Sequence, residues 1–240
     1  MAPLALLSKM GRSSLLYDFF ALFFPNYCFG CYDGLMKGEE ILCTRCLSEL
    51  PRLDYYRSDD NPMVNRFIGR VPVKHGWALL KFQKSGIVQN LLHQLKYNHH
   101  PEIGEKLGKI LAMNLVGKGF EKEFDSIVPI PLHKNKKRMR GYNQSAMIAK
   151  GISEVFQLPH SDSIVKRVAA TSTQTKKSKL ARWENVNDAF IIDEPDLILD
   201  KRVLIVDDVV TTGATIEACA KCLLSAGAKE ISVACLAEVL

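Results

Sequence analysis

Val203-Leu204-Ile205-Val206-Asp207-Asp208-Val209-Val210-Thr211-Thr212-Gly213-Ala214-Thr215 says more about the architecture of this chain than any other stretch. Four consecutive apolar residues ending in two acids fit a strand buried on both faces whose carboxyl end meets solvent, and in open parallel sheets ligands bind at that edge. Beyond the acids, Thr211, Thr212 and Thr215 bring hydroxyls and Gly213 is free to take a positive φ. The turn from Thr211 through Ala214 to Thr215 also opens a helix, whose first N–H groups lack intrahelical partners and suit a phosphate dianion. The stretch therefore reads as a sugar-phosphate cradle, with Asp207 and Asp208 accepting hydrogen bonds from ribose hydroxyls.

The residues after Thr215 support that placement. Ile216, Cys219, Ala220, Leu223, Leu224 and Gly227 recur at helical spacing, and Ile231 to Leu236 resumes as an apolar strand, so the region is one βαβ unit. It is not a P-loop, because no Lys follows the glycine, and it lacks the three spaced glycines of a dinucleotide fingerprint. The alternative is an ordinary strand capped by Asp and Thr; two adjacent, mutually repelling carboxylates argue against it.

Upstream, Trp77 to Phe82 predicts a strand, Ile87 to Leu95 an amphipathic helix ending at Lys96-Tyr97, Glu102 to Val116 a second helix, and Asp125 to Ile130 a short buried strand. That strand leads into His133-Lys134-Asn135-Lys136-Lys137-Arg138-Met139-Arg140, expected as a basic loop. If both strands share a sheet, the loop and the acids share an edge, and a diphosphate fits between them. Arg138 and Arg140 offer fork geometry, Lys134 to Lys137 point charge, and Gly141 lets the backbone close in before a helix carrying Asn143 and Gln144. A solvated surface loop is the alternative. Residues 168 to 187 carry no apolar periodicity and read as a mobile loop in which Gln174, Arg182 and Asn185 are the polar groups of interest, Arg182 being a further phosphate candidate. Trp183 there reads as a packed side chain.

At the front, Cys28-x-x-Cys31 and Cys43-x-x-Cys46 lie eleven residues apart, a spacing that gathers four thiolates around one tetrahedral zinc. Buried thiol pairs or a redox dithiol are the alternative, but so small a loop-rich segment lacks the core to fold without a metal. Such a site is closed and structural. Cys219 and Cys222 imitate a third knuckle, yet fall inside the helix after the turn and read as free thiols.

At 240 residues and 47% apolar content the chain holds a sizeable core, and its cysteine placement divides it into residues 1–60, a helix plus zinc module, and residues 61–240, an α/β domain. Seven cysteines, odd in number and tightly paired, indicate a reducing compartment. Leu15 to Phe24 is too short to span a bilayer and contains Asp18, and no cleavage pattern comes after it, so it reads as a packing helix, with shallow membrane association as the alternative. The net charge of +6 is modest and concentrated in the basic segment 133–140 and in Lys176 to Arg182.

Taken together, these residues resemble the ComF competence family, whose members are similar to type I phosphoribosyltransferases preceded by a four-cysteine zinc module. The resemblance rests on Phe24-Pro25, both cysteine pairs, Leu95-Lys96-Tyr97, Val128-Pro129-Ile130-Pro131-Leu132, Arg140-Gly141-Tyr142-Asn143-Gln144, Gln174, Arg182, Asn185, Ala189-Phe190 and the Asp207 to Thr215 turn. It implies a parallel sheet flanked by helices and binding of 5-phosphoribosyl 1-diphosphate (PRPP) with Mg²⁺ at Asp207, Asp208, Thr211, Thr212, Gly213, Ala214 and Thr215. It also implies a cytoplasmic role, with the inner-membrane surface as an alternative location, in handling single-stranded DNA during natural transformation beside a helicase. Lys176, Lys177 and Asp188 depart from the expected pattern. An active phosphoribosyltransferase with an unknown acceptor is the competing reading.

Overall fold

The computed structural model describes residues 26–55, 60–167 and 189–240. They form two compact units, one running to Leu50 and the other starting at Pro51.

In the first unit, Tyr27 and Gly34 pair across a tight turn, closed by Cys28 N–H to Asp33 O at 2.8 Å and Tyr32 N–H to Cys28 O at 2.8 Å. Helix α1 (Thr44–Ser48) is capped by Cys43, whose sulfur accepts from Cys46 N–H at 3.4 Å. The Glu39 carboxylate braces the intervening loop, accepting from Met36 N–H at 2.8 Å and from Thr44 N–H at 2.6 Å.

The second unit runs α2 (Pro62–Asn65), β1 (Gly76–Lys81), α3 (Ile87–Tyr97), α4 (Pro101–Leu115), β2 (Ser126–Pro129), α5 (Lys134–Arg140), α6 (Gln144–Phe156), β3 (Val165–Arg167), β4 (Phe190–Ile192), β5 (Arg202–Val210), α7 (Ala214–Ser225) and β6 (Glu230–Glu238). Four strands pair in parallel in the order β1-β6-β5-β2, while β3 and β4 make a separate antiparallel pair. The two central strands, β5 and β6, are the long apolar ones, as burial on both faces demands. Val203 to Val206 and Val233 to Leu236 are at most 1% exposed.

Residues 51–53 run along the free side of β1, with Lys81 N–H to Pro51 O at 2.8 Å and Leu53 N–H to Leu79 O at 3.0 Å. On one face of the unit, α4 and α6 touch backbone to backbone because glycines stand where they cross. A Cβ on Gly108 would lie 2.3 Å from Ile148 O, and one on Gly151 would lie 2.1 Å from Glu105 O. Helix α7 buries Ile216, Cys219 and Leu223 in a cluster with Val203, Ile205 and Ile231 of the sheet and with Phe190 of β4.

The structure corrects two expectations. The acids do not terminate the strand: β5 continues through Asp207 and Asp208 to Val210, because Val209 and Val210 still find partners in Ala237 and Glu238 of β6. The basic segment is not a loop but helix α5. Its Lys, Arg and Met residues are good helix formers, His133 caps its start, and Lys137, Arg138 and Arg140 complement the dipole of its last turn. Gly141, at φ 79°, ends it in the left-handed conformation. Among the described residues, the other predicted strands and helices fall within a few residues of the observed ones.

No helix among the described residues is long and apolar enough to cross a membrane. Leu15 to Phe24, and residues 168 to 188 with Gln174, Lys176, Lys177, Arg182, Trp183 and Asn185, lie outside the described residues.

Candidate functional site

The carboxyl edge of the sheet gathers chemistry from β5, α3, α5, α6 and the turn into α7. Within β5, Asp207 Oδ1 accepts from Ser145 Oγ at 3.0 Å and from Asp208 N–H at 2.9 Å. Burial, and then the neighbouring Asp208 charge, push the Asp207 carboxyl up to about 7. Asp208 is paired instead with Lys96 from the last turn of α3, Nζ to Oδ2 at 2.9 Å.

After β5 the chain turns through exposed Thr211 and Thr212 to Gly213, the residue before α7. Gly213 has φ 77°, and a Cβ there would lie 2.9 Å from the Phe67 ring. Both backbone conformation and space therefore require glycine. Ala214 N–H donates to Thr212 Oγ1 at 3.4 Å, and Ala214 and Thr215 are half-buried.

Beside β5, β2 is in register with Pro129 opposite Val206, and Ile130 N–H reaches Val206 O at 2.9 Å. The strand pairing thus delivers α5 to the edge that carries the two acids. Lys134, Lys136, Lys137 and Arg138 are exposed. Arg140 is half-buried: it donates to Gln144 Oε1 at 2.9 Å and lies over the Tyr97 ring at 5.3 Å. Gly141 is exposed, and beyond it Tyr142 donates its hydroxyl to Leu95 O while Asn143 donates to Ile130 O at 3.0 Å. The predicted residues of β5, its turn and α5 are therefore brought to one edge, while Arg182 lies outside the described residues.

Several participants are not read from the sequence. Lys96 enters only as part of a motif, without a role. Ser145 follows the Asn143-Gln144 pair and carries no signal of its own. Arg66 donates to Thr211 O and to Glu238, and Arg70 donates to Thr212 O at 2.9 Å and to Glu217 Oε2 at 2.8 Å. The spacing of four residues between these arginines, and the acid Glu238 at the end of an apolar strand, are the signals that point to them. A groove of about 440 Å³ lined by Val64, Ile68, Gly69 and Arg70 to Val73 contains no acid and one cation, which sets it apart from this edge.

In the first unit, Cys28, Cys31, Cys43 and Cys46 place their sulfurs within 4.8 Å of one another. Zinc–sulfur bonds of about 2.3 Å in a tetrahedron require sulfur–sulfur edges of about 3.8 Å, and Cys31 and Cys43 stand 3.8 Å apart. Burial alone raises the Cys28 thiol, but the N–H groups of Cys43, Cys31 and Gly30 bring it down to about 7, toward the thiolate a metal needs. The donor set fits a closed tetrahedral metal site. Cys219 is buried and Cys222 half-buried, its thiol directed at Phe190 O at 3.5 Å, so neither joins the cluster.

The phosphoribosyl transferase domain model matches residues 142–240. DNA utilization protein YhgH of Escherichia coli is 34% identical over 154 residues, which cover 62% of this chain and 66% of that protein. Competence protein F of Haemophilus influenzae is 37% identical over 110 residues, 45% of this chain and 48% of that one.

The chain belongs to the ComF family.

This ComF-family chain spans just under two thirds of the length of YhgH and less of the competence proteins. Competence protein ComFC of Bacillus subtilis is 30% identical over 102 residues, covering 42% of this chain and 39% of that protein. Among solved structures, a glutamine PRPP amidotransferase from B. subtilis aligns over 60% of this chain and 30% of its own, with 21% identity and a TM-score of 0.43.

Proposed function

We propose that this ComF-family chain binds PRPP at Asp207 to Thr215 and handles single-stranded DNA during DNA uptake in natural transformation. The reading rests on the parallel pairing of β2 with β5, which sets a basic helix and an acid-and-threonine turn at one sheet edge. Thr211, Thr212, Gly213, Ala214 and Thr215 would take the 5-phosphate, and Asp207 and Asp208 the ribose hydroxyls. Lys134, Arg138, Arg140 and Arg182, with the Gly141 backbone, would face the diphosphate.

PRPP would arrive with Mg²⁺ held by its diphosphate oxygens, and the ion would offset their charge. The chain's own contribution is positioning and electrostatics. The four cysteines would hold a structural Zn²⁺ with no open position for catalysis. The exposed cations of α5 would track DNA phosphates, and that binding would weaken steeply with salt. The names of the relatives, which refer to DNA utilization and to competence, support a DNA-uptake setting; the same reading puts the chain in the cytoplasm beside a helicase.

Fluorescent single-stranded oligonucleotide titrated across a salt series, with and without PRPP and Mg²⁺, tests the reading, with diphosphate release followed in the same samples. Salt-dependent binding without release is expected. Weak DNA binding with acceptor-dependent release would replace this reading with that of a phosphoribosyltransferase.

A further inference from the structure

The turn after β5 is held from behind by two arginines. Arg66 donates from Nη1 to Thr211 O and from Nη2 to Glu238 Oε1. Arg70 donates from Nη1 to Thr212 O at 2.9 Å, and its Nε reaches Glu217 Oε2 at 2.8 Å. Each guanidinium is anchored in turn: the Glu238 side chain is fully buried and also accepts from the Tyr55 hydroxyl, and Glu217 is paired with Lys221 at 2.7 Å. Between the two arginines, Phe67 fills the space against Gly213.

A trans peptide points its carbonyl and the following N–H in opposite directions. Fixing the Thr211 and Thr212 carbonyls on the arginines therefore turns the N–H groups of Thr212 and Gly213 to the other side of the turn. Successive N–H groups aimed one way form an anion-binding concavity.

We propose that Arg66 and Arg70 are positioning residues that lock these two peptide groups so that their N–H groups meet the sugar 5-phosphate. The inference rests on the phosphate reading of this turn. Neither arginine need touch the ligand: both act through the backbone they hold.

Arg70→Gln in the full chain is the direct test, because Glu217 keeps Lys221 and no buried charge is orphaned. Ribose 5-phosphate and PRPP are the probes, by calorimetry, with ¹⁵N relaxation at Thr212 and Gly213 as a readout independent of ligand. Wild type is expected to bind both probes and to show backbone order parameters of about 0.85 at these amides. The variant should stay folded with a lowered melting temperature, because the Arg70–Glu217 ion pair is lost as well, and should lose order at both amides and bind either probe roughly tenfold more weakly, the scale of one charged hydrogen bond. Arg70→Lys, which retains one donor for Thr212 O, should fall between them. Should Arg70→Gln not fold, Arg66→Gln combined with Glu238→Gln removes the other strut without leaving a lone buried carboxylate. Unchanged affinity in either folded variant overturns the inference. Failure of wild type to bind either probe instead strikes the phosphate reading, and the inference falls with it.

Discussion

Lys96 and Asp208 form an ion pair of 2.9 Å that ties the last turn of α3 to the carboxyl end of β5. Both side chains are largely shielded, at 22% and 16% exposure, so the pair is screened less than a surface bridge. It also places a cation beside the second of two adjacent acids.

Replacing Lys96 by Met should therefore cost about 1.5–3 kcal/mol of stability, the range for a hydrogen bond to a charged group. Adding Asp208→Asn should recover part of the loss. Urea unfolding of the two single variants and the double variant measures the coupling.

Asp207 makes stability depend on pH. Its folded-state pKa, about 7, lies above the ordinary carboxylate value, because burial and Asp208 disfavour its charge. The folded state thus holds a proton that the unfolded state releases. Its stabilising contribution is complete below about pH 4 and is lost as pH rises toward 7. Asp207→Asn keeps the Oδ1 acceptor for Ser145 but removes this titration, so the variant should gain on wild type as pH rises across that window in denaturant unfolding.

Asp125 has the opposite sign. The Arg202 guanidinium, bonded at 2.8 and 3.0 Å, holds its carboxyl at about 2. The stability it contributes is present above about pH 4 and disappears as pH falls toward 2. Asp125→Asn should flatten that acid limb, as seen by circular dichroism during acid titration.

Cys28→Ser with Cys43→Ser should release bound zinc and loosen the first unit. Metal content by mass spectrometry checks this, and full occupancy in the double variant would refute four-thiolate binding.

The strands of the parallel sheet are legible in the sequence because burial on both faces leaves continuous apolar runs, as in Val203 to Val206, whereas the short, half-exposed pair β3 and β4 leaves no such run. Gly213 is legible because a turn into a helix needs its conformational freedom. The length of β5 is not: Asp207 and Asp208 look like a strand end, and only β6 alongside shows that pairing continues. Helix α5 is hidden because seven residues dominated by one sign of charge resemble a solvated loop. Lys96, Ser145, Arg66 and Arg70 meet the edge through tertiary contacts between segments far apart in sequence, and no local pattern announces such contacts.

Calorimetric titration of PRPP with Mg²⁺ into wild type and into the Asp207→Asn, Asp208→Asn double variant tests PRPP binding at the two acids most directly. Saturable binding to wild type is expected, with at least about tenfold weaker binding to the folded double variant, because charged hydrogen-bond partners are lost. Equal affinity of the two proteins, or no binding to either, would contradict PRPP recognition at this edge.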